Sequence, residues 1–398
     1  MGRLAGIGLT TAAMFLVVVA VMLANPALFY MSTAMIATIG ASRLQAWLSV
    51  RALRFERTAP ETVRVGDLVT IEITVWSERR IRRPLVTVLD NLPSRLFVTD
   101  LSPSLPIAPA FDIPVRTQYR FRPMKRGVYR WSGLRASGTD ALGLVTLDRF
   151  YPTAPVEMIV LPVPIPVSVQ LPSAAAWGLA ATDGNLGRGA GIEPRGTREY
   201  VPGDPLKHVH WRSSAKTGVL LVKEFEAGIQ ASFAYLLQRT AGTEIGKGAR
   251  TTLELMCGHA AYVANQLLRS GADVVFPGIE QRRRAESDAE RANDVLLALA
   301  RLEGGVPATL GDDLGEATSE LGAGTTVLMA LAVVDATLPA AVRRAAGMGI
   351  QVVALLYDAD AFAPPKGRAA SATDPPFVKA LQVAGARTVR MPSEGLTA

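Results

Sequence analysis

The carboxy-terminal part of the chain alternates between apolar runs of strand length and segments with helical periodicity. The clearest strand lies at residues 326–334, where VLMALAVV is an uninterrupted apolar run, as expected for a strand buried on both faces. Further strands are predicted at residues 233–237, 272–276, 351–357 and 388–391, and helices at 252–270, 285–302, 338–348 and 376–384. Strands and helices that alternate at these lengths predict a parallel sheet flanked by helices over residues 227–398.

A different pattern, with a period of two, occupies residues 56–166. Alternate positions of residues 68–76 (LVTIEITVW), from Val69 to Val75, are all apolar, which indicates a half-buried strand. Shorter runs of the same kind follow at residues 85–89, 117–121, 127–134, 142–147 and 156–160. Several short strands with little helix between them predict a small β-sandwich domain at residues 56–166.

The amino terminus carries two apolar runs. Residues 6–24 contain no charge, and residues 27–47 are uncharged except for Arg43. A helix of this length reaches roughly 30 Å, the thickness of the hydrocarbon layer of a bilayer. Because Asn25 and Pro26 form a turn signal between the runs, residues 1–50 are predicted to form a transmembrane helical hairpin.

Arginines on both sides of this hairpin indicate its orientation. Arg3 precedes it, and Arg51 and Arg54 follow it, so the positive-inside rule places both ends in the cytoplasm. The prediction is a protein of the bacterial inner membrane whose soluble domains are cytoplasmic. A cleaved signal peptide, with Arg3 in its basic region, is the alternative, but it leaves the second apolar run unexplained.

Length and composition fit a chain of several domains. The 398 residues predict two or three domains, and the apolar share of 49% is ample for their cores. The single cysteine, Cys257, rules out an internal disulfide, which fits a reducing compartment. Because Cys257 lies in an apolar helical pattern, we expect a buried structural thiol.

Basic residues are in excess, with a formal charge of +7. Arg79, Arg80, Arg82 and Arg83 lie at a predicted hairpin tip, where both contact with anionic lipid and a solvated loop are open interpretations. Nucleic acid is disfavoured as a partner, because no aromatic residues are interleaved with these arginines to stack on bases.

Residues 171–195 are rich in Ala, Gly and Ser, and we predict that they form a linker. The glycines within residues 187–191 do not follow a strand and do not have dinucleotide-binding spacing. Gly246-Lys247-Gly248 lacks the hydroxyl residue that follows the lysine of a phosphate-binding loop. ATP binding through such a loop is therefore not expected.

Residues 196–226, GTREYVPGDPLKHVHWRSSAKTGVLLVKEFE, hold the densest mixture of charged, aromatic and glycine residues in the chain. A penicillin-binding-protein interpretation fails, because the two motifs, Ser213-x-x-Lys216 and Lys216-Thr-Gly218, would share one lysine. This segment is called the signature segment below.

Two further interpretations of the signature segment remain open. Asp204, His208 and His210 could serve a hydrolytic or metal-dependent enzyme, with both histidines on one face of a strand. In the structural interpretation Asp204 caps a turn and pairs with Lys207 or Arg198, which leaves no catalytic role.

The order of residues in the signature segment resembles that of the bacterial domain-of-unknown-function 58 family. The pattern G-x-R-x-Y, G-D, a basic residue, V-x-W and K-E-x-E falls on Gly196, Arg198, Tyr200, Gly203, Asp204, Lys207, Val209, Trp211, Lys223, Glu224 and Glu226. The resemblance implies a von Willebrand factor A-type domain after the signature segment and a MoxR-type AAA+ ATPase as partner. The metal site of that fold begins with Asp-x-Ser-x-Ser, where this chain has Gln238, Thr240 and Gly242, so no metal is expected.

We therefore expect a fold class of α/β plus all-β: the transmembrane hairpin, the β-sandwich, then the A-type domain with its parallel sheet. The expected function is that of a non-enzymatic adaptor or assembly protein, without cofactor, at the lipid bilayer. An enzyme built on Asp204, His208 and His210, and an envelope-binding module, are the alternatives. The residues expected to form a docking surface or an interdomain brace are Arg198, Tyr200, Gly203, Asp204, Lys207, His210, Trp211, Lys223 and Glu226.

Overall fold

The computed structural model divides the chain into two compact units, residues 1–161 and residues 162–398. The structure describes residues 2–80, 86–93, 95–96, 98, 104–109, 111–169, 194–199, 210–225, 232–277, 288–365 and 367–394. Residues 2–6, 194–199, 217, 222–225 and 288 are described by their backbone alone.

Unit 1 begins with two packed helices, α1 (Gly2–Met22) and α2 (Pro26–Ser49). The side chain of Asn25 accepts a hydrogen bond from the backbone N–H of Ala27 at 2.9 Å and so caps the start of α2. Small side chains, including those of Ala13, Ala20 and Ala46, are buried, which lets helices approach closely.

The prediction of a transmembrane hairpin at residues 6–24 and 27–47 is wrong. Within the part of the chain that the structure describes, neither α1 nor α2 combines the length and the apolarity that crossing a membrane requires. In α2, the polar residues Ser42, Arg43 and Gln45 interrupt the apolar sequence.

Eight strands form two sheets in the rest of unit 1. They are β1 (Leu53–Thr58), β2 (Thr62–Arg64), β3 (Val69–Ser77), β4 (Val86–Asp90), β5 (Ser104–Ile107), β6 (Val115–Phe121), β7 (Gly127–Thr139) and β8 (Thr146–Leu161). One sheet has the order β1-β3-β6 and is antiparallel, and the other has the order β2-β8-β7-β4-β5 and is mixed, because β2 pairs in parallel with β8. Inward side chains of both sheets build one hydrophobic core, to which β3 contributes every second residue, as its sequence predicts.

A buried ion pair joins the two sheets through this core. The guanidinium of Arg57, on β1, donates from Nη2 to Asp90 Oδ1 at 2.6 Å and from Nε to Asp90 Oδ2 at 3.1 Å. Asp90 ends β4 of the other sheet, and it also accepts a bond of 2.6 Å from the hydroxyl of Tyr119. Nη2 of Arg57 further donates to the carbonyl of Gly133 at 3.0 Å, so both charges have partners where water is excluded.

Unit 2 contains the remaining elements. They are β9 (Pro194–Glu199), α3 (Trp211–Thr217), β10 (Leu221–Phe225), β11 (Ser232–Leu237), β12 (Gly246–Lys247), β13 (Arg250–Thr251), α4 (Thr252–Arg269), β14 (Asp273–Val275), α5 (Asp288–Arg301), α6 (Leu310–Glu320), β15 (Thr326–Leu331), α7 (Leu338–Gly347), β16 (Gln351–Leu356), α8 (Pro375–Val383) and β17 (Arg387–Arg390), with a short 3₁₀ helix at Ala359–Ala361.

Five of these strands form a parallel sheet in the order β14-β11-β15-β16-β17. Helices α4 and α5 pack on one face of it, and α6, α7 and α8 pack on the other. In β11, Phe233 and Tyr235 contact the first group of helices and Ala234 and Leu236 the second, so the strand is buried on both faces. The predicted parallel sheet flanked by helices is therefore present.

Two core side chains of unit 2 carry titratable groups, Cys257 and His259. Cys257 is fully buried in α4, as its sequence context predicts. His259, two residues later, lies 3.0 Å through Nδ1 from the hydroxyl of Tyr357, and the two rings are stacked. Burial disfavours the charged imidazolium and lowers the pKa of His259 from 6.5 to about 4.

The Arg57–Asp90 pair yields a prediction about unit 1. Asp90→Ala leaves the guanidinium buried without its counter-charge, and we expect a loss of about 3–5 kcal/mol in the free energy of unfolding. Glu157→Ala is the matched control: it removes an equally short Arg130–Glu157 pair of 2.6 Å, whose side chains are 73% and 41% exposed. That control should cost less than about 1 kcal/mol in urea denaturation, and equal losses in the two variants would contradict the assignment.

His259 yields a prediction about acid stability. Because its pKa is about 4 in the folded chain and near 6.5 when unfolded, the unfolded chain binds more protons between these values. Its contribution to stability is therefore present above pH 6.5 and is lost as the pH falls toward 4. The melting temperature, followed across this range, should fall less steeply in His259→Gln than in the wild type. Parallel pH profiles would refute the role of His259.

Candidate functional site

The signature segment folds around a pair of antiparallel strands. β9 pairs with β10, with Arg198 opposite Val222 and Thr197 opposite Lys223. Between the two strands in sequence lies α3, and its backbone connects directly to β10: the N–H of His210 donates to the carbonyl of Leu221 at 2.8 Å. This bond places the start of α3 beside the start of β10.

His210 caps the amino terminus of α3. Its ring nitrogen Nδ1 accepts a hydrogen bond from the backbone N–H of Ser213 at 3.1 Å, the task that Ser, Thr, Asp or Asn usually performs. The carbonyl of His210 also accepts from the N–H of Ser214, at 3.0 Å. A histidine at this position therefore serves the geometry of the helix.

Ser214 fastens the other side of α3. Its side chain is buried, and its hydroxyl oxygen accepts from the N–H of Leu221 at 2.8 Å. The same hydroxyl lies 3.1 Å from the carbonyl of His210. Gly218 ends the helix with a φ of 75°, a left-handed conformation that favours glycine, and its N–H donates to the carbonyl of Ser214. A helix of only two turns is thus fixed at both ends.

Apolar side chains are exposed on this fixed helix and the turn after it. The indole of Trp211, the first residue of α3, is 62% exposed, and Val219 and Leu220 are 45% and 43% exposed. Arg212 and Lys216 on α3 are also exposed. The surface formed by Trp211, Arg212, Lys216, Val219 and Leu220 is called the α3 surface below.

The structure locates some of the expected site residues and not others. The backbone of Arg198 lies in β9, that of Lys223 lies in β10, and His210 and Trp211 start α3. The other five expected residues, Tyr200, Gly203, Asp204, Lys207 and Glu226, lie outside the described residues.

The expected placement of two histidines on one strand face is corrected at His210. This residue precedes α3, and its Nδ1 is engaged by the helix backbone. His208 lies outside the described residues. Ser213 and Lys216, which matched a nucleophile motif, lie in the same seven-residue helix. Sequence reasoning missed the role of Ser214, for which the only signal was its position one turn before Gly218.

A second position of interest is Gln238, directly after β11, where the metal site of an A-type domain would begin. Its buried side chain accepts from the N–H groups of Ala332 and Val333, both at 3.0 Å, and donates to the carbonyl of Val333 at 2.9 Å. These three bonds tie the end of β11 to the chain that follows β15. The uncharged amide of Gln238 therefore connects two neighbouring strands at the edge of the sheet where their carboxyl ends lie.

The carboxylates near this edge are engaged as well. Asp335 accepts from the N–H of Gly311 at 3.1 Å and from both the N–H and the hydroxyl of Thr337. Thr240 donates to the carbonyl of Ala308 at 2.9 Å. Across the residues that the structure describes, no group of three or more His, Cys, Asp or Glu is placed to hold a metal ion.

The role of Ser214 can be tested by hydrogen exchange. Ser214→Ala removes a buried acceptor, so the N–H of Leu221 should lose about 1 kcal/mol of protection and exchange roughly fivefold faster. Alanine is a better helix former than serine, so a general loss of α3 is not expected. Arg212→Ala, on the exposed side of the same helix, is the control and should leave Leu221 unchanged. If the N–H of Leu221 exchanges at the same rate in Ser214→Ala as in the wild type, its hydrogen bond to Ser214 does not stabilise this part of the chain.

Comparisons with known proteins bear on part of the chain. Curated proteins give no match. Among solved structures, the chain is similar to the CARDB domain of the PF1109 protein from Pyrococcus furiosus, crystallised in complex with di-metal ions: the identity is 20%, covering 27% of this chain and 91% of that chain, with a TM-score of 0.20. A similarity this slight supports no statement about fold or metal binding.

The model of the family described as "Protein of unknown function DUF58" matches residues 196–391, which run from the signature segment to the end of the parallel sheet. The resemblance in the signature segment is thereby confirmed, and residues 196–391 belong to the DUF58 family.

Proposed function

We propose that this chain is a non-enzymatic adaptor whose α3 surface docks a partner protein, and that the partner is a MoxR-type AAA+ ATPase. The exposure of Trp211 carries this proposal: its indole is 62% exposed on a helix fixed by His210 and Ser214. The partner's type comes from the family resemblance. Since that partner consumes ATP, we place the α3 surface in the cytoplasm.

An exposed tryptophan on a helix with both ends fixed is better suited to docking a partner protein than to bracing two domains of the same chain. A brace between elements would bury the ring, whereas Trp211 leaves most of it accessible. Tryptophan is enriched among the residues that dominate interface energies, and arginine often accompanies it. Arg212 and Lys216 are exposed one turn apart on the same helix, so an acidic rim on the partner would complement the α3 surface.

The architecture supports the finer parts of the proposal. A parallel sheet with helices on both faces is compatible with a von Willebrand A-type domain at residues 227–398. The two sheets of unit 1, which share one core, are compatible with a β-sandwich. The hydrogen bonds of Gln238 support the proposal that the chain binds its partner without a metal ion. At the position where an A-type metal site would begin, an uncharged amide already connects β11 with the residues after β15.

The enzyme and envelope-binding alternatives gain no support from a particular observation. Asp204 and His208 lie outside the described residues, and the Nδ1 of His210 is bonded to the backbone of α3.

The docking proposal is tested with the purified full chain and the MoxR-type ATPase of the same organism. Trp211→Ala should weaken the binding by about 2 kcal/mol or more, roughly 30-fold, as hot-spot tryptophans do. Its melting temperature should stay unchanged, since the ring is exposed. The control is Val383→Ala, which truncates another apolar side chain of the family region, 79% exposed at the end of α8.

Three outcomes would contradict the proposal. They are no binding by the wild type, equal binding by Trp211→Ala, or an equal loss in Val383→Ala. A fall in the melting temperature of Trp211→Ala would instead support the interdomain brace.

A further inference from the structure

The positive charge of the chain belongs to unit 1. Residues 1–161 hold 19 of the 42 Lys and Arg and 11 of the 35 Asp and Glu, a formal charge of +8. Residues 162–398 hold the other 23 Lys and Arg and the other 24 Asp and Glu, a formal charge of −1. Eighteen of the 19 basic residues of unit 1 are arginine, the residue best suited to phosphate. An anionic partner is therefore to be sought on unit 1.

Three arginines of unit 1 stack on aromatic rings where α2 ends and β1 begins. The guanidinium carbon lies 4.2 Å from the ring centre for Arg51 over Trp47, 5.7 Å for Arg54 over Trp76, and 5.2 Å for Arg80 over Phe111. Trp47 and Phe111 are exposed and Trp76 is half-buried. These six residues are called the junction surface.

Backbone pairing brings the segments that carry the three stacked pairs to one end of the β1-β3-β6 sheet. Arg54 on β1 is opposite Trp76 on β3, and the N–H of Glu78 donates to the carbonyl of Ala52 at 3.0 Å. Ser77 forms a bridge with Phe111, which brings Arg80 to the same end of the sheet. The sequence from residue 78 to residue 84 contains no aromatic residue, and the ring under Arg80 comes from Phe111, about 30 residues later in the chain.

Stacking prepares a guanidinium for an oxyanion. The ring covers one face of the planar group, while its N–H donors lie at the edge and point away from the ring. Stacked arginines lose less side-chain entropy when they bind phosphate, because their orientation is already restricted. The carboxylates of Glu78 and Asp112 are also exposed here, so recognition rests on these oriented guanidiniums more than on charge density.

We propose that the junction surface binds the headgroups of anionic phospholipids. Two exposed apolar residues are neighbours of this surface in sequence: Leu44 precedes Trp47 by three residues on α2, and Ile113 follows Phe111 by two. Their side chains would meet the acyl boundary below a headgroup layer. Nucleic acid also offers phosphates, but its bases bind by stacking on aromatic faces, and the rings of Trp47, Trp76 and Phe111 each have an arginine over one face. The proposal concerns contact at a lipid surface and is independent of the α3 surface.

The test measures binding of the full chain to vesicles of phosphatidylcholine alone and of an equal mixture with phosphatidylglycerol. The wild type should prefer the mixed vesicles, and added salt should reduce this preference. The variant Arg51→Gln, Arg54→Gln, Arg80→Gln should lose roughly fivefold in affinity for each arginine, or about 100-fold, at about 1 kcal/mol per residue.

A matched control separates the junction surface from net charge. The variant Arg120→Gln, Arg122→Gln, Arg130→Gln removes the same charge from exposed positions near the opposite end of the strands, where Phe121 pairs with the start of β3. It should retain most of the preference. Trp76→Leu keeps an apolar side chain and all charge but removes a stacking face, and it should lower the preference measurably at an unchanged melting temperature.

The proposal is overturned if the wild type shows no preference for the mixed vesicles, or if both triple variants lose affinity equally. It is also overturned if a single-stranded oligonucleotide binds the wild type more tightly than the mixed vesicles and with the same dependence on Arg51, Arg54 and Arg80, since the partner would then be nucleic acid.

Discussion

The bond between Arg57 and Asp90 is the interaction on which unit 1 depends. It connects β1 of one sheet with β4 of the other across the hydrophobic core, and the hydroxyl of Tyr119 adds a contact from β6. A shift of one sheet against the other would separate these buried charges as well as disturb the apolar packing, so the ion pair favours the observed register. Because Arg54 lies three residues before Arg57 on β1, the position of the junction surface follows from this register.

The parts of the fold that could be predicted are those where burial alone decides the pattern. β15 and β16 are continuous apolar runs since helices cover both faces of the sheet, and β3 alternates since one face is covered. α6 escaped prediction because its sequence, LGDDLGEATSE, has few apolar residues and is fixed by a capping box between Thr309 and Asp312. β8 was predicted as two strands, because neither its long pairing with β7 nor the bulge near Trp131 is visible in one sequence. The amino-terminal prediction failed because it weighed the absence of charge above the polar residues of α2.

The candidate site was found by composition, but its geometry was not. The density of polar and aromatic residues directed attention to residues 196–226, and within this segment the structure has α3 and β10. α3 is too short to show a helical period in the sequence, so His208 and His210 were predicted to share one face of a strand. Ser214 could not be recognised as a buried acceptor without the position of Leu221, which tertiary structure sets.

The cap made by His210 also decides what can approach its other nitrogen. An Nδ1 that accepts the N–H of Ser213 carries no hydrogen, so the neutral ring holds its hydrogen on Nε2. Next to Trp211 the imidazole can therefore act only as a donor, and a partner must offer an oxygen acceptor, such as a carbonyl or a carboxylate. A metal cation would meet this N–H and not a lone pair. To bind the cation through Nε2, the neutral ring would have to move its hydrogen to Nδ1, which would break the bond from Ser213.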